Sequence, residues 1–296
     1  MSVRTSIIRT TTRRVTQVAG MGVVMAIGAS AFPATAQSAT FVACSEDALS
    51  TAITEANAAP SAVLSLAPGC VYSLTTRLPE VTGNITINAN GDTITRGIGA
   101  TAFRILTVSG RLTLNDATVS NGDASGESVN FGGGIGVIGS GSLFVERSDI
   151  LDNRAAFSGG IGGLSNTTVS VDRTTISGNS VTQSGGGFIA DGIGTITNSR
   201  VIGNSAGNLG GGIANQGQLR VQDSNINDNE ARDGGGIANI GGTAQLIRTN
   251  VNSNQATDGV GAGGILRTGG SVILNSSRVR GNAPTNCAGT VPGCTG

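Results

Sequence analysis

Two short patterns alternate along the chain from residue 132 onward, and their spacing constrains the fold more than any other feature. The first is Gly-Gly-Ile or a near variant, ending at Ile135, Ile161, Phe188, Ile213, Ile237 and Ile265. The second is an aliphatic residue, two small or polar residues and then Asn, ending at Asn153, Asn179, Asn204, Asn229, Asn254 and Asn282. Successive Asn are 26, 25, 25, 25 and 28 residues apart. A hydroxyl residue (Ser148, Thr174, Ser199, Ser224, Thr249, Ser277) precedes each second-pattern aliphatic by two. A fixed period of this size means a solenoid.

The apolar runs are short and alternate with period two, as in Leu143/Val145, Val169/Val171 and Leu219/Val221, and Gly makes up 48 of 296 residues. Helical repeats would show a 3.6-residue period and little Gly. Three short strands per repeat, separated by turns, instead wind into an all-β, single-stranded right-handed parallel β-helix. Like residues then stack one strand spacing apart, about 4.8 Å. Ile and Val columns fill the interior, and stacked Asn form a ladder that satisfies the turn amides. Degenerate coils before residue 132, marked by Ile85/Ile87, Phe103/Ile105 and Leu112/Leu114, bring the total to about eight. Raw solenoid ends need caps. Ser45 with Glu46 and Asp47 reads as a helix start, and Ala48, Leu49, Ala52, Ile53 and Ala56 mark one apolar helix face. The expected organisation is a signal peptide over 1–36, an N-terminal cap over 37–84, the β-helix over 85–286 and a C-terminal disulfide cap over 287–296.

Export is read from the first segment. A basic, polar stretch containing Arg4, Arg9, Arg13 and Arg14 precedes an apolar run from Val15 to Phe32, followed by Pro33-Ala34-Thr35-Ala36. That order is a secretory signal peptide with cleavage near Ala36. The clean apolar run falls short of the ~20 residues of a membrane span, so the mature chain is expected to be secreted or at the cell surface with no transmembrane anchor. In an exported protein, four Cys clustered in pairs near the two ends suggest Cys44–Cys70 and Cys287–Cys294 disulfides.

The paired Gly-Gly-Ile and aliphatic-x-x-Asn patterns resemble the GGAI and FxxN repeats of polymorphic outer-membrane proteins. They also resemble secreted right-handed β-helix proteins of the pectate-lyase-like superfamily. The likeness spans residues 85–286, with Ile or Val in place of the Phe of FxxN. It implies the fold. Enzymes of that superfamily mostly act on acidic polysaccharides, some with Asp and a Gly-His-Gly segment, others with an Arg base beside Asp-bound Ca²⁺. This chain has no His, so the first arrangement fails, and every site that needs an imidazole fails with it. All 18 basic residues are Arg, which removes Schiff-base chemistry and the phosphate-binding Lys of a Walker loop. From Gln37 onward 14 Arg face 18 acids, a balance of −4 that argues against nucleic acid.

Two sets of charges are candidates for chemistry. Glu146/Arg147 and Asp172/Arg173 stand beside the second pattern, where coil equivalence stacks Arg147 on Arg173 and Glu146 on Asp172; Asp223 and Arg248 follow in later coils. Such a face could catalyse as a lyase does, with Ca²⁺ as its only implied cofactor, or form an alternating salt-bridge ladder on a solvated sheet. Asp228, Glu230, Arg232 and Asp233 form the densest charge cluster, with Phe157 and Leu209 in equivalent turns. Only two connections are long, Gly122–Phe131 and Gln255–Ala262.

Three readings follow. The leading one is an exported non-catalytic β-helix, a cell-envelope or extracellular protein that binds a glycan or envelope component on its long faces. The alternative is a polysaccharide lyase acting on acidic glycans through Arg147, Arg173, Glu146 and Asp172. The second alternative is a cyclase or isomerase of a small apolar metabolite, which needs an apolar groove under the 122–131 insertion around Phe131, Val137 and Phe157. All three need Ile226 to face inward. Ile226→Asp is therefore expected to abolish folding by burying an unpaired charge; normal secretion and an unchanged melting temperature would contradict that assignment.

Overall fold

A computed structural model describes residues 38–259 and 261–295 of the chain; the expected signal peptide lies outside the described residues. The short alternating segments form strands of two to six residues, and among the described residues these stack into four parallel sheets of ten, nine, eight and five strands. One turn is illustrated by Ser142–Glu146, Asp149–Leu151, Arg154–Ala155 and Ile161–Gly163, which belong to the ten-, nine-, five- and eight-stranded sheets in that order. The next turn repeats the course one layer on, with Leu143 paired to Val169, Ile150 to Ile176 and Ile161 to Phe188. The molecule is thus a parallel β-solenoid of about ten turns rather than eight. The extra turns come from the cap region, where Thr40–Val42, Ala62–Leu66 and Val71–Leu74 already stack in the sheets although they carry neither repeat signature.

Alternation does the packing. Leu143, Val145, Ile150, Val169, Val171, Ile176, Ile196, Val201, Val221 and Ile226 are all at most 1% exposed and belong to one continuous core cluster. Two corners per turn bend the chain sharply through single residues in the left-handed region. Arg147, Arg173, Asn198, Asp223 and Arg248 take φ of 46 to 50° at the first corner. Asp152, Gly178, Gly203, Asp228 and Ser253 take φ of 53 to 65° at the second. Asn and Asp tolerate this geometry and Gly accepts it freely; Arg at three first corners is the costlier choice.

The amides exposed by the second corner are satisfied by the Asn column. The backbone N–H and Nδ2 of Asn179 both donate to Asn204 Oδ1, at 3.0 and 2.9 Å, and Nδ2 also donates back to Ile150 O at 2.9 Å. The same three bonds recur at Asn153, Asn204, Asn229 and Asn254. The ladder starts at Gly122 N–H, which donates to Asn153, and ends at Asn286, which accepts from Asn282. A parallel ladder of hydroxyls serves the first corner: Ser148 N–H donates to Thr174 Oγ1, Thr174 N–H to Ser199 Oγ, and Ser199 N–H to Ser224 Oγ. The Gly before each inward Ile makes room for the ladder. A Cβ at Gly160, Gly187 or Gly212 would stand 3.1 Å from Asn179, Asn204 or Asn229 Nδ2 of the next coil, which is why the two repeat patterns occur together.

Both ends are closed. The helix Glu46–Asn57 is capped by Ser45, whose Oγ accepts from Ala48 N–H, and it buries Leu49, Ala52, Ile53 and Ala56 on the first coils. The Glu46 carboxylate accepts four hydrogen bonds from the amides and hydroxyls of Thr75 and Thr76, at 2.7 to 2.9 Å. Burial opposes its ionisation, but those bonds outweigh burial and hold its pKa at about 2. Cys44–Cys70 ties the helix entry to the first turn, and Cys287–Cys294 closes the last strand, Thr285–Ala288. Among the described residues no helix is long and apolar enough to cross a membrane.

Asn204→Ala leaves the Asn179 amide donors and the Ile176 carbonyl without partners inside the solenoid. At about 1 kcal/mol or more for each buried orphan, it should cost about 3 kcal/mol. Chemical denaturation would measure this; a loss below 1 kcal/mol would show that the ladder is dispensable.

Candidate functional site

The residues that the sequence offers as catalytic candidates lie on an ionic face along the first corner. The register pairs Glu146 with Asp172, and both project outward between the ten-stranded sheet and the first corner. Arg147 grips Asp116 of the preceding turn through two bonds of 2.8 and 3.0 Å and also reaches Glu146 at 3.0 Å. Arg173 pairs with Asp172 at 2.9 Å and lies 3.8 Å from Glu146. Asp172 further accepts from Thr197 and Asn198. Burial works against its charge, but these two bonds and the Arg173 charge keep its carboxyl below the usual range. Three turns on from Arg173, Arg248 makes the same two-bond grip on Asp223 of the turn before it, holding that carboxyl at about 2. Each guanidinium is committed to a carboxylate on the open surface, so this is a corner ion-pair ladder and offers no free Arg base.

Asp228, Glu230, Arg232 and Asp233 are placed by different demands. Asp228 is a second-corner residue at φ 55°. Glu230 and Arg232 are exposed on the strand Glu230–Asp233, and Asp233 turns back so that its Oδ1 accepts from Gly234 and Ala262 N–H at 2.7 and 2.8 Å. The cluster is dense in sequence, yet its best-buried acid serves the backbone.

The non-repeating insertion builds something different on the outer face of the eight-stranded sheet. The middle residues of its strands form an outward column, Thr107, Gly136, Gly162, Ile189, Ala214 and Ala238. Two Gly in that column leave space for side chains to lie flat on the sheet. A Cβ at Gly162 would overlap the Phe131 ring, and one at Gly136 would stand 2.7 Å from Arg104 Nε. Phe131, only 4% exposed, packs with Ile189 and Ala214. It pairs with Phe157 of the next turn, which stays 45% exposed. Together with Val129, Leu164, Asn130, Gln216 and Asp191 they line a groove of about 370 Å³. Asn130 fixes the rim, its Oδ1 accepting from Ala156 N–H at 2.6 Å. Val137, expected at this groove, instead faces the solenoid interior and is fully buried, because it follows the outward Gly136 by one residue.

Beside the groove, and sharing Val129 with it, lies a more polar cavity of about 410 Å³ whose lining includes Arg77, Glu80, Arg104, Thr107 and Glu127. Arg104 is 5% exposed. Its Nε donates to Phe131 O and Gly132 O, Nη2 to Val129 O and Nη1 to Thr107 Oγ1, at 2.8 to 3.3 Å. Burial pushes its pKa down, and the charge of Glu127 partly opposes this. No carboxylate lies within ion-pair distance of Arg104 among the described residues; Glu127 pairs with Arg77 at 3.2 Å. Arg104 is therefore the pin that fastens the insertion to the sheet. The sequence held two signals for this region: a charge inside the apolar run Phe103-Arg104-Ile105-Leu106, and an acid at Asp191 where neighbouring coils carry Leu164 and Gln216. Neither signal shows by itself that the two share a face.

No protein-family model, curated protein or solved structure matches the chain.

Arg104→Met removes the donors to the Val129, Phe131 and Gly132 carbonyls while keeping bulk over Gly136. The expected loss is about 3 kcal/mol of stability, with faster hydrogen exchange in residues 127–132. Unchanged exchange there would show that the insertion holds itself in place.

Proposed function

We propose that the chain is an exported, non-catalytic β-helix protein that binds an extracellular or cell-envelope ligand in the groove over the eight-stranded sheet. Its repeats are of the kind seen in secreted pectate-lyase-like proteins and polymorphic outer-membrane proteins. The observation that carries this reading is the groove's lining. Aromatic and aliphatic side chains surround a single ionisable group, Asp191, so the groove offers contact area without an acid–base pair. The signal-peptide reading and the two disulfides support export.

Against the lyase alternative, the guanidinium groups of Arg147 and Arg173 are both paired with carboxylates. The donors there do not fit Ca²⁺ either. Glu146 and Asp172 are each bridged by Arg, and a hard cation needs six or more oxygens free of such competition. Among the described residues no group of three acidic or Cys side chains is arranged to hold a metal. The cyclase alternative asks for a site closed to water, whereas Phe157 leaves the groove open on one side.

The exported protein should be retained by an insoluble cell-envelope fraction, and Phe157→Asp should weaken that retention about tenfold, equivalent to about 1.4 kcal/mol. Incubated with uronate polymers and Ca²⁺, it should produce no rise in ultraviolet absorbance. Such a rise would overturn the binding reading in favour of the lyase.

A further inference from the structure

Asp191 is out of character with its place in the fold. It occupies the position just after an eight-stranded-sheet strand, where the preceding and following turns carry Leu164 and Gln216. The backbone is the same in all three: Leu164, Asp191 and Gln216 N–H donate to Val137, Gly163 and Ala190 O at 3.1, 3.0 and 2.9 Å. Neutral side chains therefore satisfy this corner, and the carboxylate is not required by the solenoid. Other partly covered acids have strong partners, either Arg, as in Asp116–Arg147, Asp123–Arg154, Asp172–Arg173 and Asp223–Arg248, or several amide and hydroxyl donors, as at Glu46 and Asp233. Asp191 is half-buried against Phe131, Phe157, Leu164 and Ile189. Its side-chain partner is Gln216 Nε2 at 3.3 Å, and no Arg lies within ion-pair distance among the described residues. Burial pushes its carboxyl pKa up, the signature of a charge lacking its counter-ion.

We propose that this groove seats a small organic ammonium ion, with its nitrogen at the Asp191 carboxylate and its apolar body against Phe131, Phe157, Leu164 and Ile189. The inference rests on the reading of the groove as a binding seat and names the ligand class. Charge complementarity selects a cation, and the walls select an organic one. A metal ion would find one carboxylate and little else, since Asn130 Oδ1 is already engaged by Ala156 N–H. Aromatic faces attract an ammonium group as well as apolar carbon, and about 370 Å³ suits a ligand of small-molecule size.

The test is calorimetric titration of the exported protein with phenethylammonium chloride and with 2-phenylethanol, its neutral isostere, at constant ionic strength. The ammonium ion should bind at least about tenfold more tightly, and Asp191→Asn should abolish that preference, weakening the ammonium ion far more than the alcohol. The near-isosteric Asn keeps the Gln216 contact, and an unchanged melting temperature would confirm that the variant is folded. Equal affinity for the two probes, or an Asp191→Asn variant that still prefers the ammonium ion, overturns the cation assignment and leaves a seat for neutral apolar ligands. Binding of neither probe overturns the cation assignment and the seat together.

Discussion

In a solenoid with one chain pass per layer, the amides of each corner lie against the layers above and below and cannot reach water. Helices and hairpins answer this demand within themselves; a parallel coil has to answer it between turns. The buried Asn column does so with every hydrogen-bonding group of its side chain. Both Nδ2 hydrogens are used, and each Oδ1 accepts the backbone N–H and the Nδ2 of the preceding Asn. Leaving such groups unpaired in the interior would cost more than the net gain from making the bonds. The ladder therefore fixes spacing and register at once, since an Asn one residue out of place would orphan donors on both sides.

Register in turn determines where function can reside. With the interior filled by Ile, Leu and Val and the corners filled by Asn and hydroxyl ladders, the repeating part of the molecule offers only its outer faces and the recesses on them, such as the one lined by Ile193, Gln218, Arg220 and Ile273. Its surface charges neutralise one another along the first corner, where exposed pairs add little stability. The apolar groove comes from the insertion Gly122–Phe131, which lies over the eight-stranded sheet. Arg104 fastens that insertion, Phe131 lies over Gly162, and Phe157 of the next turn is left as an open wall. The groove is thus a product of departures from the repeat, two Gly in an outward column and a buried Arg among them.

Much of this was legible in the residue pattern. The Gly-Gly-Ile and Asn periodicity, the period-two apolar pairs, the helix start at Ser45 and the end-clustered Cys correspond to the strands, ladders, cap and disulfides of the folded chain. The turn count fell short because Thr40–Val42, Ala62–Leu66 and Val71–Leu74 carry no ladder Asn, and only pairing with later strands identifies them as coils. The acids of Asp228–Asp233 are dense in the sequence but separately placed in the fold, Asp228 at a corner and Asp233 on two backbone amides. Phe131 and Phe157, two aromatics in a chain poor in them, line the groove. Arg104 and Asp191 each look like an isolated charge in the sequence until the coils are stacked.

The sequence alone determined how the chain coils, because periodicity, alternation and Gly placement are local properties that dictate which side chains face inward. Tertiary structure decided which outward residues meet. Arg104, Phe131, Phe157 and Asp191 are spread over 88 positions of chain, and only the winding lays their turns against one another on a single face. A one-residue shift in any turn would send the same side chains to the opposite side of the sheet, so the groove exists by virtue of the register and not of any segment within it.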